Sequence, residues 1–294
     1  MHPYVLYNDS IVQSTEAIFR PGQLGLLSGW GVFSTLRIYE GVPFAFDRHW
    51  QRLRDDAERL NIDLCITAKN TETNIVRLIA ANNAVESSLR VCVFRSEGGY
   101  WAGPGSGNSS DLVAITNDLQ QWKNSIKLGV TNHARFAASH FAGTKTISWA
   151  YNLTLLENAR HNGFDETILL NEHEEVTECT SANLFAAVDG VAYTPPLTSG
   201  PLPGVTRALM LEELDLPTTS VKEKVLTLED LLNADEVFIT STTRELLPVS
   251  HIMDHPVGAT PKGPWPLMER LRIGLREYVR DYIEKQRHRT NTYP

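Results

Sequence analysis

The chain has 294 residues, 42% of them hydrophobic, enough to bury a core in one large domain or two ordinary ones, which excludes a binding peptide or a disordered adaptor. A formal net charge of −8 with scattered basic residues excludes the electrostatic footprint of a nucleic-acid binder. Three cysteines without metal-ligand spacing, no stretch near the ~20 apolar residues of a membrane span, and neither a basic nor a long apolar run over Met1 to Asp9 point to an unsecreted cytoplasmic protein without a metal site.

Tyr4 to Val12 roughly alternates apolar and polar residues around an Asn8-Asp9 turn, and a second strand signal, Val32 to Tyr39, ends at Glu40-Gly41. Asp47 can cap a helix over 47–61, where Trp50, Leu53, Ala57 and Leu60 recur at helical spacing. A helix at 71–84 precedes a strand at 89–94. Gly98 to Ser110, rich in Gly, Pro and Ser, reads as a loop and a candidate lid, with Tyr100 and Trp101 offered to the lid or to a dimer contact. A strand at 111–116 leads to a polar linker, 118–128, between a small N-terminal domain (1–117) and a larger domain (129–294). In the larger part the pattern gives a helix at 148–161, strands at 166–171, 182–188 and 191–194, and a helix at 205–214. Short strands near 221–226 and 236–240 follow, and an amphipathic helix runs over 267–286. Mixed sheet and helix in two segregated halves is an α/β or α+β architecture without internal repeats.

Of eight lysines, most lie in polar or charged settings; Lys145 does not. It sits in Phe141-Ala-Gly-Thr-Lys-Thr-Ile-Ser-Trp149, among small and apolar residues just ahead of a helix, where a buried ammonium is costly unless neutralised or covalently used. Imine-forming lysines need such a setting, because only the neutral amine attacks a carbonyl. The alternative is an exposed lysine in a glycine-containing loop. Pro203-Gly-Val-Thr206 opens a helix whose first amides, with the Thr206 hydroxyl, could hold a phosphate monoester, or could simply be capped. Val237-Phe-Ile-Thr-Ser-Thr-Thr243 runs a buried strand into four hydroxyl residues, which is either a donor cluster for an anion or an ordinary loop. Glu178, just before an apolar strand, is either a turn carboxylate or the partner of a cationic ring nitrogen, a role found in pyridoxal phosphate chemistry.

Seven ordered segments resemble the class IV aminotransferases of fold type IV: Gly31-Val-Phe-Ser-Thr-Leu-Arg37, His49-Trp-Gln-Arg-Leu53, Lys145, Gly163-Phe-Asp-Glu-Thr-Ile168, Val176 to Phe185, Thr194 to Arg207 and Ala234 to Val249. The family includes branched-chain and D-amino acid aminotransferases, (R)-selective amine transaminases and aminodeoxychorismate lyases. The resemblance implies a two-domain fold, a small N-terminal α/β domain and a larger pseudo-barrel α/β domain, with pyridoxal 5'-phosphate as cofactor and a homodimer. It makes Lys145 the Schiff-base lysine and proton shuttle, and Glu178 the partner of the pyridine nitrogen. Arg52, Val205, Thr206, Ser241 and Thr242 become phosphate ligands.

Trp149 stands where many relatives have Tyr, offering an indole donor near the cofactor, and Ser34 stands where branched-chain enzymes usually have Glu. For a substrate carboxylate the candidates are Arg95, Arg37 and Arg244, with Phe33 and Thr243 as further pocket residues; Arg244 could instead pair with Glu245. The implied activity is ping-pong transfer of an amino group between an amino acid or amine and a 2-oxo acid. The alternatives are an aminodeoxychorismate lyase, releasing 4-aminobenzoate and pyruvate, and a non-catalytic ligand-binding relative.

Overall fold

The computed structural model describes residues 1–17, 19, 23–98, 107–214, 216, 219–258 and 263–291. Two compact units divide the chain, one of residues 1–120, 144–149 and 280–294, the other of residues 121–143 and 150–279. The first changeover falls inside the expected linker 118–128, whose end is already strand from Ile126. Residues 144–149, expected with the larger domain, belong to the first unit.

The first unit contains β1 (Tyr4–Tyr7), β2 (Ser10–Gln13), α1 (Leu24–Ser28), β3 (Gly31–Tyr39), β4 (Val42–Pro43), α2 (Phe46–Arg59), α3 (Ala68–Asn82), β5 (Ser87–Arg95) and β6 (Ser110–Asp118). Its antiparallel sheet runs β2-β1-β6-β5-β3-β4. Strand alternation turns Val32, Leu36 and Ile38 of β3, with Leu89, Val91 and Val93 of β5, into a core shared with Phe46, Leu53 and Ala57 of α2 and Ile75 and Leu78 of α3. The opposite face carries Phe33, Thr35 and Arg37, in register with Cys92, Arg90 and Ser88.

Lys145 is fastened to this sheet. Thr146 bridges Val32, the Phe33 N–H donates to the Lys145 carbonyl at 2.9 Å, and the Ile147 N–H donates to the Gly31 carbonyl at 2.9 Å. The approach requires glycine at 31, where a Cβ would lie 2.6 Å from Ile147 Cδ1 and 2.7 Å from the Val93 carbonyl oxygen. The helix expected from 148 starts at Ala150, so Lys145 lies ahead of it, its carbonyl bonded to β3 and its N–H to Asp56.

The second unit contains β7 (Ile126–Thr131), α4 (Ala150–His161), β8 (Glu166–Leu170), β9 (Val176–Cys179), β10 (Asn183–Val188), β11 (Val191–Thr194), α5 (Val205–Glu212), β12 (Ser220–Glu223), α6 (Leu228–Leu232), β13 (Glu236–Ser241), β14 (Glu245–Ile252), β15 (His255–Pro256) and α7 (Pro266–Asn291), whose residues from Arg280 are grouped with the first unit. Its strands run β12-β11-β10-β13-β14-β7-β8-β9, with β15 on β14. The Cys179 N–H donates to the Ala182 carbonyl at 2.8 Å, returning β9 to the start of β10, so the sheet curls around Leu128, Ile168, Val176, Leu184, Val237, Ile239 and Val249. The curled sheet matches the pseudo-barrel expected for the larger domain.

β7, β9 and β14 were not expected as strands. Pro248 hides β14, because a proline in a run argues against a central strand. It faces Phe238 of β13, and pairing with β7 starts only at Val249. Among the described residues no helix is long and apolar enough to cross a membrane. Tyr100 and Trp101 lie outside the described residues.

Candidate active site

In the first unit, the Lys145 amine lies 4.7 Å from the Phe33 ring centroid and 5.8 Å from that of Trp149. The two rings meet edge to face, 5.7 Å apart at 73°. The Lys145 N–H donates to Asp56 Oδ2 at 3.2 Å. Asp56 is buried, and burial raises its carboxyl above the usual range against the opposing pull of that bond and of Arg52.

Helical spacing puts His49, Arg52 and Asp56 on one face of α2. Arg52 Nη2 donates to Ser34 Oγ at 2.9 Å, and His49 Nδ1 lies 2.9 Å from the same oxygen. Burial, then the charges of Arg52 and Lys145, hold the His49 imidazole well below its ordinary value and therefore neutral. Ser34 thus accepts from Arg52 and is hydrogen-bonded to the neutral His49 ring. A serine on the core face of β3 has a purpose here: it ties the guanidinium to the strand that carries Phe33.

Arg37 lies 3.8 Å from Glu86 and stacks on Tyr39 at 4.3 Å. Arg95 donates to the Glu97 carbonyl at 2.9 Å and stacks on Trp30 at 4.5 Å.

In the second unit Glu178 belongs to β9, opposite Leu169, and not to a turn. The signal is short because all four residues of β9 are buried, leaving no polar alternation to read. Glu178 Oε2 accepts from the Leu202 N–H at 3.1 Å, and Arg135 Nη2 lies 3.5 Å from Oε1 and 3.3 Å from Asn152 Oδ1. Arg135 escaped the sequence reading, since nothing in Asn132-His-Ala-Arg-Phe136 marks it.

α5 begins at Val205 after an extended Gly204 with no side-chain cap, so its first amides point outward from the helix start. Thr206 is buried there. Gly204 packs so tightly on Asn183 that a Cβ would sit 2.0 Å from Oδ1. Asn183 stands in register with Thr240, whose buried Oγ1 has no hydrogen-bond partner. β13 then ends at Ser241, and Thr242, Thr243 and Arg244 form the turn into β14.

Arg244 is engaged inside this unit. It donates to the Ser181 carbonyl (3.0 Å), Ser181 Oγ (2.9 Å) and Ser241 Oγ (3.3 Å), lies 3.6 Å from Glu166 and stacks on Trp122 at 4.1 Å. Glu245, the partner weighed from sequence, is instead 3.4 Å from Arg276.

Uncapped amides at Val205 and Thr206, the Thr206 hydroxyl, the unsatisfied Thr240 Oγ1 and Ser241 form a set of neutral donors, which suits a phosphate monoester. Glu178 is an acceptor suited to a protonated ring nitrogen.

The family model for amino-transferase class IV matches residues 31–252. This chain belongs to the class IV aminotransferases. The D-alanine aminotransferase of Bacillus licheniformis is 30% identical to this aminotransferase over 264 residues, covering 88% of this chain and 92% of that one. Among solved structures, the branched-chain amino acid aminotransferase of Escherichia coli superposes with a TM-score of 0.87 at 26% identity over 95% of both chains. The T.th. branched-chain amino acid aminotransferase, solved with pyridoxamine 5'-phosphate, superposes with a TM-score of 0.85 at 25% identity over 95% of both chains. The fold is that of these fold type IV enzymes, and the chain is a transaminase.

Proposed function

We propose that this aminotransferase carries pyridoxal 5'-phosphate on Lys145 and exchanges an amino group between an amino acid and a 2-oxo acid by a ping-pong route. The observation that carries this reading is the placement of Lys145, main chain pinned to β3 and Asp56 and amine beside Phe33 and Trp149. The cofactor supplies, when bound, an electron sink that lets the substrate α-carbon lose its proton. The Lys145 amine takes that proton and returns it.

Glu178 keeps the ring nitrogen protonated, with the Leu202 amide and Arg135 fixing its carboxylate. Arg52 supplies positive charge to the phosphate, and Val205, Thr206, Ser241 and Thr242 supply neutral donors. Trp149 replaces a phenol with an indole N–H. The relatives' names support aliphatic amino acids of the branched-chain or D-alanine type as substrates. We extend the reading to a cytoplasmic homodimer.

The test is a panel of D- and L-amino acids with 2-oxo acid acceptors on purified holoenzyme and on Lys145→Ala. One amino acid consumed per 2-oxo acid aminated, lost in Lys145→Ala, is the expected result. Wild-type turnover in Lys145→Ala overturns the assignment of the lysine. Pyruvate released from aminodeoxychorismate without any acceptor overturns the transferase in favour of a lyase.

A further inference from the structure

Arg244 is a cation largely withdrawn from water that the chemistry above does not use. Its side chain is 10% exposed and that of Glu166 is 3% exposed, so both charges of the pair are desolvated. Such a pair is tolerable only if its remaining donors and lone pairs also find partners. Here they do. Glu166 Oε1 accepts from the Thr180 N–H at 3.2 Å and from the Thr180 hydroxyl, and Oε2 accepts from the Ser181 hydroxyl at 2.7 Å. Ser181, in the turn between β9 and β10, passes the contact on: its hydroxyl accepts from Arg244 Nη2 at 2.9 Å and its carbonyl from Nη1 at 3.0 Å. The Trp122 ring covers the guanidinium at 4.1 Å. The fork is therefore held on three sides.

Held in this way, the guanidinium is aimed at Ser241. Arg244 Nη1 donates to Ser241 Oγ at 3.3 Å, and the Arg244 main-chain N–H donates to the same oxygen at 3.3 Å. A hydroxyl oxygen carries two lone pairs and one proton. With both lone pairs taken by N–H donors, the Ser241 hydroxyl can only donate, and among the described residues nothing accepts its proton. It stands at the end of β13, next to Thr240, whose buried Oγ1 also has no partner. A hydroxyl restricted to donating suits an oxyanion and repels a further N–H. Glu166, 3.6 Å from the guanidinium, offsets its charge, so Arg244 acts on Ser241 as a directed N–H and not as a bare cation.

We propose that Arg244 is a positioning residue for the cofactor phosphate: held by Glu166, Ser181 and Trp122, it fills the second lone pair of Ser241 and commits that hydroxyl to donate to the phosphate. The proposal rests on the reading of Ser241 as a phosphate ligand. It assigns Arg244 to cofactor binding and not to the substrate carboxylate.

The test titrates the full chain, freed of cofactor, with pyridoxal phosphate and with unphosphorylated pyridoxal. Arg244→Met alone strands the Glu166 charge and can unfold the chain, so it is combined with Glu166→Gln, which removes both charges and leaves the net charge unchanged. This neutralised pair should bind pyridoxal phosphate roughly 2- to 12-fold more weakly, the worth of a neutral bond, and pyridoxal as wild type does. Arg244→Lys, which keeps the charge but not the fork, should show the same loss. Ser241→Ala should lose about 10- to 150-fold on pyridoxal phosphate, and neutralising the pair in that background should cost nothing further, because the path runs through the hydroxyl. Wild-type affinity in the neutralised pair or in Arg244→Lys overturns the proposal. So does equal weakening for the two ligands, or an undiminished further loss on top of Ser241→Ala. Wild-type affinity in Ser241→Ala removes that serine from the phosphate site, and the proposal with it, while leaving Lys145 its role. A wild-type chain that forms no imine absorption band with pyridoxal phosphate fails the cofactor reading itself.

Discussion

Arg52 and Ser34 are joined by a 2.9 Å hydrogen bond from Nη2 to Oγ, and through Ser34 the guanidinium reaches the neutral His49. Arg52 therefore belongs to an ordered set on α2 and β3 and is not a free surface cation. Replacing Arg52 with Ala should weaken pyridoxal phosphate binding by about 10- to 150-fold, the cost of one bond to a charged group. Ser34→Ala keeps the charge and loses only its positioning, so a neutral bond's worth of affinity, roughly 2- to 12-fold, should go. Titration of apoenzyme with pyridoxal phosphate and with unphosphorylated pyridoxal checks both. Equal weakening for the two ligands would show that neither residue acts on the phosphate.

His49 makes stability depend on pH in a definite direction. Its folded-state value lies well below the ordinary 6.5, so the native imidazole stays neutral while the unfolded one takes up a proton as the pH falls. The contribution is fully present above about pH 6.5 and is lost below it at about 1.4 kcal/mol per pH unit until the native value is reached. His49→Asn, which can keep an acceptor near Ser34 Oγ, should be flatter than wild type by that slope between pH 6.5 and 5.5 in urea midpoints converted to free energy. Parallel curves would place the acid sensitivity elsewhere.

Gly204 is the point where α5 meets β10. A methyl group there would fall 2.0 Å from Asn183 Oδ1, and Asn183 cannot easily yield, being buried with its Nδ2 bonded to the Leu202 carbonyl at 2.8 Å. Gly204→Ala should cost about 1–3 kcal/mol in stability from overpacking and displace the start of α5. Melting temperature should fall and phosphate-dependent cofactor affinity with it. A variant that melts early but binds as wild type would detach the helix start from phosphate recognition.

Amphipathic segments were legible from sequence because their periods are long: α2 with Trp50, Leu53 and Ala57, and β3 with its alternation, lie within a residue or two of the expected places. β9 and β14 were not, since four fully buried residues have no alternation and Pro248 imitates a strand break. The chemistry-bearing residues were visible as types in motifs, but charge pairing was not. Arg244 finds Glu166, 78 positions away in sequence, only because the hairpin β13–β14 and strand β8 share one curled sheet.

Glu178 offers the sharpest separation of chemistry from folding. Its carboxylate accepts from the Leu202 amide and lies 3.5 Å from Arg135, both compatible with a neutral amide at 178 that still accepts through its oxygen. Glu178→Gln should therefore fold, and bind cofactor through the phosphate donors, which it does not touch. What it cannot do is stabilise a proton on the pyridine nitrogen, so the ring becomes a poorer sink for the α-carbon electron pair. Loss of that charge-assisted contact in the transition state, about 1.5–3 kcal/mol, corresponds to roughly 10- to 150-fold in rate. The fall should appear in kcat and, with an α-deuterated amino acid, bring a larger kinetic isotope effect, because proton abstraction becomes slower relative to the other steps. A Glu178→Gln enzyme with unchanged kcat and an unchanged isotope effect would make this carboxylate a structural partner of Arg135 and Leu202 alone.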